Sequence, residues 1–487
     1  MKDKIKVDWT NNMLSPEVIS DYGRAESRER TSRVPLAYLE QISHQIDPLI
    51  GSRVIHASGE GGRYSGSIRE FFRDEAETID SFYETHMIAP NGRMTRVMPH
   101  LLHMLEHIAK EDDPRIGKQK GKVPHERGRV KEGYPENWPR THGIGEIFDS
   151  LDATDLTSLT FYKIIRNYNP GLSPKVLPRL REMALWSLRN FEEFGGGAAY
   201  IGARFDEHRN PREGLTNQMW RDSEYSIVDE NGEIPKHPIY PAREQALRYE
   251  VFMRASKFFA GDSQFSKKLR DCAEDLKAWF NRKFIRSNGH KWPIVDALDG
   301  DQEPVTAALT VDEISVLAHD FCLIDDIELR NEIITNSFEE LYNPRGGYMT
   351  VSGNSVIHKD NVYHGPKTIW MKAQKDVIIA LEISARRVEK KFPGLAQGYR
   401  EMALQNAEAM LRVAAFYRNP IELTLVEDGS YKMYEEFNEK GEKTGEACRV
   451  QAFSGGAMEY AIAYLRAHGI NEITALVQEP NGAEIAT

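Results

Sequence analysis

An all-α ring of helical hairpins, an (α/α)6 barrel with long loops at one mouth and little β structure, is the fold class this sequence predicts. Three observations carry that prediction. Apolar residues recur at three- and four-residue spacing along most of the chain, the signature of amphipathic helices. Strand-like alternation is scarce, with the short run YKMYEEF at residues 431–437 the best candidate. Long segments rich in Gly, Pro, aromatic and charged residues recur after roughly every second helix. Hairpin loops that gather over a central cavity produce that rhythm.

Taken in order, the helical runs are residues 68–83, 97–109, 156–168, 176–194, 242–259, 266–284, 329–341, 368–388, 395–416 and 454–467. Weaker runs lie at 35–45 and 311–321, which brings the count to roughly twelve, the number a double ring needs. The loops at 112–154, 195–242 and 342–366 are unusually long. Loops of that length inside a compact domain are commonly functional, and these carry Trp, Tyr, His, Asn and Glu rather than linker composition. A length of 487 residues favours two domains by default. No low-complexity linker or close repeat divides this chain, so one barrel over residues 51–468 is expected. Residues 1–50 then form an N-terminal extension packed on the barrel, and 469–487 a C-terminal tail.

Composition narrows the function classes. The net charge of −11 argues against a nucleic-acid partner, because phosphate binding needs a basic surface. No apolar run approaches a membrane span, and the opening MKDKIKVDWTNNML lacks the apolar centre of a secretory signal. Cys272, Cys322 and Cys448 are far apart and lack CxxC spacing, so neither a disulfide framework nor a zinc site is suggested. The expectation is a cytoplasmic protein with reduced thiols and no cofactor. His100, His103 and His107 share one helical face, but a metal centre needs a fourth ligand, and an ordinary helix face explains them. HERGR at 125–129 is not HExxH, which excludes the zinc-protease spacing.

One stretch fits neither period. GLTNQMWRDSEYSI, residues 214–227, packs an aromatic ring, an amide pair and carboxylates into a few positions. A connecting loop needs none of these; a loop that grips a sugar needs all of them. Asp222 follows Trp220, and an aromatic wall can raise a carboxylic pKa by desolvation. The competing reading is an Asp-Ser helix cap.

This stretch resembles the GL-x-NQ-x-W-x-DS loop of (α/α)6-barrel glycoside hydrolases related to bacterial amylo-α-1,6-glucosidases, mannosylglycerate hydrolases and the glucoamylase–trehalase clan. Four further segments resemble that superfamily in the same order: FFRDEAETIDSF, GKVPHERGRV with SLDATDLTSL, YHGPKTIWMKAQ, and EACRVQAFSGGAMEYAIAYL. Together the matches span residues 60–468. The resemblance implies two carboxylates and inversion at the anomeric carbon, an acid protonating the leaving oxygen and a base activating water on the opposite face. It implies Asp222 as the acid. The base would lie in YKMYEEFNEKGEKTG, where an E-x-(Y/F) pattern aligns Glu435. Glu436 is the alternative, and in an extended segment the two side chains point opposite ways.

The same resemblance implies a layer of substrate contacts. Arg73 and Asp74 would hold sugar hydroxyls in the innermost subsite, or else pair with each other at a helix start. His125, Glu126 and Asp152 match the HE and DAT positions. Asn217, Gln218, Tyr363, His364 and Gln451 would supply hydroxyl contacts. Trp220 and Trp370 would stack on sugar faces, or else fill core. Two features depart from the pattern: Gly365 stands where an asparagine is usual, and residues 370–374 read WMKAQ rather than WPHDN. These departures fall in the innermost subsite and leave the usual glucose specificity open. A small carbohydrate is the expected partner. A sugar epimerase or isomerase using His125 and His364, or a sugar-binding protein without turnover, are the rival readings.

Overall fold

The computed structural model describes residues 29–51, 55, 69–129, 144–202, 215–286, 292–305, 308–352, 363–427, 430–437 and 443–478. The first 28 residues, the last nine, and the lead-in to the RD segment at 62–68 lie outside the described residues, as do the middles of the three long loops. Among the described residues there are twelve α-helices. They are α1 (Leu36–Ser43), α2 (Phe72–Ile88), α3 (Arg93–Glu106), α4 (Asp152–Asn167), α5 (Ser173–Glu193) and α6 (Ala242–Phe258). The second half continues with α7 (Ser263–Lys283), α8 (Val311–Ser315), α9 (Ile327–Leu341), α10 (Met371–Val388), α11 (Pro393–Tyr417) and α12 (Ala452–Ala467). The even-numbered helices form a closed inner ring: α2 packs on α4, α4 on α6, α6 on α8, α8 on α10, α10 on α12, and α12 back on α2. Each odd-numbered helix backs its inner partner from outside. This is the (α/α)6 barrel the sequence predicts.

The sixth hairpin joins the two ends of the described chain. α1 lies against α12, and the strand Glu29–Pro35 pairs antiparallel with Glu472–Gln478 along its whole length. Two glycines let α12 fit its place. A Cβ on Gly455 would stand 2.5 Å from Ile46 Cγ2, and one on Gly456 would stand 3.0 Å from Ser81 Cβ of α2. Glycine inside a helix costs roughly 0.5–1 kcal/mol relative to alanine; close approach on two sides explains why it is used here.

Outer and inner helices bury different chemistry. α5 buries Val176, Leu180, Met183, Ala184, Leu188 and Phe191, an apolar stripe at three- and four-residue spacing. α6 is buried almost all round, charged residues included: Arg243, Glu244, Arg248, Glu250 and Arg254. Those charges are paired. Arg248 Nε donates to Asp155 of α4 at 2.5 Å, and Arg254 Nη2 to Asp320 at 2.7 Å. α8 has only five residues, shorter than the 311–321 run. The apolar residues after it, Leu317, Leu323 and Ile324, remain buried, while Asp320 is held by Arg254 and Arg387 rather than by further helical turns.

Little β structure is present, as expected. The described strands are two to seven residues long and form two- and three-stranded patches. Several lead directly into an inner helix: Arg69–Phe71 into α2, Tyr240–Pro241 into α6, and Thr368–Trp370 into α10. No helix among the described residues is long and apolar enough to cross a membrane.

The inner ring is tied together by a buried web of charges. Glu77 of α2 accepts from Lys372 of α10 at 2.9 Å and from Arg243 of α6 at 3.3 Å. Lys375 reaches Asp80 at 3.0 Å, and Lys163 of α4 reaches Asp80 and Glu84 at 2.7 Å each. Burial alone would raise the Glu77 carboxyl; Lys372, Lys375 and Arg243 outweigh it and hold the group well below its ordinary value. Removing one partner of a buried ion pair leaves the others uncompensated and costs about 3–5 kcal/mol. Glu77→Ala should lose stability on that scale in urea denaturation. A loss under about 1 kcal/mol would mean that the three cations find other partners.

Candidate active site

The inner helices present their first turns to one place. Arg73 and Asp74 stand in the first turn of α2, Asp152 opens α4, and Arg243 and Glu244 open α6. Asp312 and Glu313 stand in α8, Lys372 in α10, and Gln451 is the residue capping α12. Cross-contacts show that these turns converge. Gln451 Nε2 lies 3.5 Å from Asp74 Oδ2, and Lys372 Nζ sits 5.3 Å from the Trp220 ring and 5.8 Å from the Phe453 ring. Helix N-termini carry unpaired N–H groups and the positive end of the dipole, which favour carboxylates.

The loop carrying Asp222 is anchored by buried bonds. Arg221 is fully buried; its Nε donates to Asp312 at 2.8 Å, its Nη2 to both oxygens of Asp296, and its Nη1 to the Ser226 carbonyl. Trp220 Nε1 donates to the other oxygen of Asp312 at 2.6 Å. Asn217 donates to the Ser223 and Glu224 carbonyls and to Ser226 Oγ, and accepts from Tyr200 Oη. Asn217 thus shapes the loop from within. Gln218 donates to the Ile201 carbonyl, and its own carbonyl accepts from the Leu151 N–H.

That bracing leaves Asp222 partly exposed, with 22% of its side chain accessible. Its Oδ2 accepts from both Nη1 and Nη2 of Arg73 at 3.2 Å, and His125 Nε2 lies 3.7 Å away. Burial raises the carboxyl above the ordinary range; Arg73 pulls it back, while Asp74 and Asp152 push it up again. The net direction is upward. Arg73 also bonds the Met219 carbonyl and Asp74 Oδ1, the mutual pairing at a helix start that is the alternative reading of Arg73-Asp74.

An aromatic wall runs from this loop to the opposite rim. Ser223 Oγ and His364 Nδ1 share a hydrogen bond of 2.7 Å. The His364 ring stacks on Trp370 at 4.8 Å, and Trp370 meets Trp220 edge-on at 5.9 Å and Phe453 in near-parallel contact at 6.2 Å. Trp220 and Trp370 are 3% and 5% exposed. Flanked in this way, Trp370 acts as wall rather than as an open stacking face. Burial first, then the nearby cations Arg221, Arg73 and Lys372, push the His364 imidazole well below its ordinary value, so it is neutral. Tyr363 continues the wall, 5.1 Å from Tyr434, with its hydroxyl given to Glu422 at 2.8 Å.

Glu435 follows Tyr434 directly and opens the strand Glu435–Phe437, paired with Lys443–Glu446. Its side chain is exposed. The segment is extended, as the alternation suggested; the Glu436 side chain lies outside what is described. The other expected contacts are buried around these groups. His125 packs edge-on against Phe71, Glu126 starts the strand Glu126–Arg129, and Asp152 accepts from Ser150 Oγ. Sequence reasoning missed Arg221, Asp296 and Asp312 as anchors, Lys372 as a cation under the wall, and Glu422. On the outer helix α3, His103 and His107 lie with Glu106 at metal-compatible spacing. There, His107 is already engaged by Glu146 and Arg127, each at 3.1 Å.

No family model and no curated protein matches the sequence. Solved structures do. The GH63 mannosylglycerate hydrolase from Thermus thermophilus in complex with glucose aligns at 10% identity with a TM-score of 0.52, covering 87% of this chain and 99% of that one. The fold is shared. An uncharacterized conserved protein from Thermus thermophilus aligns over the same shares at 11% identity and a TM-score of 0.51. These likenesses bear on fold alone, and the helical barrel expected from the sequence is the fold this chain has.

The Arg73–Asp222 pair is open to direct test. Arg73→Met removes the cation that favours the ionised carboxylate, so the Asp222 titration should move to higher pH; Arg73→Lys should move it less. Carboxyl carbon NMR of labelled protein reads this. A downward or absent shift in Arg73→Met would show that Arg73 does not govern the group.

Proposed function

We propose that this chain is an inverting glycoside hydrolase acting on small α-glucosides or related glycosides and oligosaccharides, with Asp222 as general acid and Glu435 as general base. The observation that carries the reading is Asp222 itself. It is a carboxyl raised by burial, braced on a loop that cannot easily shift, and still partly exposed. The upward shift favours the protonated form that a leaving oxygen needs. A run of contacts leads from Ser223, beside Asp222, through His364 and Tyr363 to Tyr434, beside Glu435, which supports a shared site for the two carboxylates.

In this mechanism Asp222 protonates the glycosidic oxygen as the bond to the anomeric carbon breaks. Glu435 takes a proton from a water that attacks the opposite face, giving a product of inverted configuration. The water needs a carboxyl–carboxyl gap of roughly 6.5–9.5 Å. Arg73 orients the acid, and Asp74 and Gln451 line the floor where sugar hydroxyls would bind. The length of the loops at 112–154, 195–242 and 342–366 supports a preference for short substrates. The isomerase alternative has less support, since its candidate bases, His125 and His364, are almost wholly buried.

Asp222→Asn and Glu435→Ala should each cut turnover by roughly 10²-fold or more, the usual contribution of general acid–base catalysis. Glu436→Ala should do much less. Proton NMR of the first-formed anomer, followed with a glycoside library and the wild-type enzyme, gives the stereochemical outcome. Retention of configuration, or a Glu436→Ala enzyme slower than Glu435→Ala, contradicts the assignment. A sugar altered without bond cleavage supports the isomerase instead.

A further inference from the structure

We infer that Glu422 is the positioning residue that sets the base-bearing hairpin against the aromatic wall; the inference rests on the hydrolase reading above. Glu422 lies between α11 and the strand Leu423–Glu427 and is buried. All four of its hydrogen-bonding groups are engaged, with three partners: Cys448 twice, Met371 and Tyr363. Its N–H donates to the Cys448 carbonyl at 2.8 Å, and its Oε2 accepts from the Cys448 N–H at 2.9 Å. Its carbonyl accepts from the Met371 N–H at the start of α10 at 3.3 Å. Its Oε1 accepts from the Tyr363 hydroxyl at 2.8 Å.

The two carboxylate oxygens add a side-chain link between two sides that also meet through the pairing of Thr368–Trp370 with residues 423–425 and the Tyr363–Tyr434 contact. One oxygen takes Cys448, which follows Ala447, whose N–H donates to the Tyr434 carbonyl at 3.0 Å; Tyr434 immediately precedes Glu435. The other oxygen takes Tyr363, whose ring meets Tyr434 and whose carbonyl accepts from Trp370 Nε1 at 2.9 Å. Tyr363 adjoins His364, which bonds Ser223 beside Asp222. Through one carboxylate the acid loop and the base hairpin share a fixed reference. Burial raises the Glu422 carboxyl to about 7 despite the bonds from Cys448 and Tyr363, as expected for a group enclosed in the wall.

A positioning role has a specific kinetic signature. Glu422→Gln keeps the shape but replaces one acceptor oxygen by an NH2, so either Cys448 or Tyr363 meets a donor instead of an acceptor. A displacement near 1 Å in a catalytic group costs roughly 10²-fold. Glu422→Gln should therefore lower kcat about 10- to 100-fold with KM changed by less than about 3-fold. The loss should be equal on a natural glycoside and on a dinitrophenyl glycoside, whose leaving group needs no acid; Asp222→Asn, in contrast, should recover on the activated substrate. Tyr363→Phe should add little to Glu422→Gln, since both break the same link. Independently of turnover, amide hydrogen exchange at Ala447 and Cys448 should quicken in Glu422→Gln. Unchanged exchange overturns the inference whether or not the enzyme is active, and so does a loss that the activated leaving group rescues. A Glu422→Gln enzyme deader than Glu435→Ala would make Glu422 the base itself and overturns it too. Wild-type protein inactive on every glycoside refutes the proposed function, while the exchange result still decides the latch.

Discussion

A single carboxylate on the barrel axis, Glu77, takes the charge of Lys372 and Arg243 directly, with Lys375 beside it at 3.9 Å. Three inner helices are thereby fixed in rotation as well as in distance. Glu77 stands one turn below Asp74, and Lys372 is in the opening turn of its own helix. The phase that aims Glu77 inward is the phase that aims Arg73 and Asp74 at the mouth. A ring of apolar contacts could slide or twist by a residue with modest loss. A ring pinned by paired charges in low dielectric cannot, because any slip leaves an ion unpaired.

Above that floor the two halves of the mouth are built differently. The half with Asp222 is held by a fully buried guanidinium and by an amide that satisfies four partners. The half with Glu435 is a short hairpin, attached to the barrel through backbone bonds and one carboxylate. The half with Asp222 is fixed and largely desolvated, while the half with Glu435 has access to solvent. On the proposed reading, those are the settings that suit a proton donor and an activator of water. The wall of Trp220, His364, Trp370, Tyr363 and Tyr434 joins them without offering much open surface.

Much of this was legible in the sequence where the information is local. α5, α7 and α11 follow their apolar stripes closely, and the loop at 214–227 stood out because it obeyed no period. α6 shows the limit. AREQALRYEVFMRASKF reads as a surface helix by its charges, yet it is an inner one, because Asp155, Asp320 and Glu77 on other segments neutralise them. The same applies to the site. Asp222 and Glu435 were visible as carboxylates in aromatic company, but the stacking of His364 and Phe453 around Trp370 was not, since Phe453 comes from a distant segment and the turn that folds His364 back onto Trp370 has no period to read. Glu422 sits in an ordinary apolar-rich strand lead, and only its distant partners give it meaning. α8 fell short of its apolar run because burial there is met by turns pinned through Asp320.

The pairing of Glu29–Pro35 with Glu472–Gln478 has a consequence for how the molecule is made. A ribosome delivers the first strand and α1 long before α12 exists to receive them. Five hairpins can collapse on one another as they emerge, but the ring stays open until α12 and the strand Glu472–Gln478 have followed them. The loop carrying Asp222 is therefore made some 200 residues before the hairpin carrying Glu435. A nascent chain holds an unclosed arc of helices, and the partner that α1 and the strand Glu29–Pro35 lie against arrives late in synthesis.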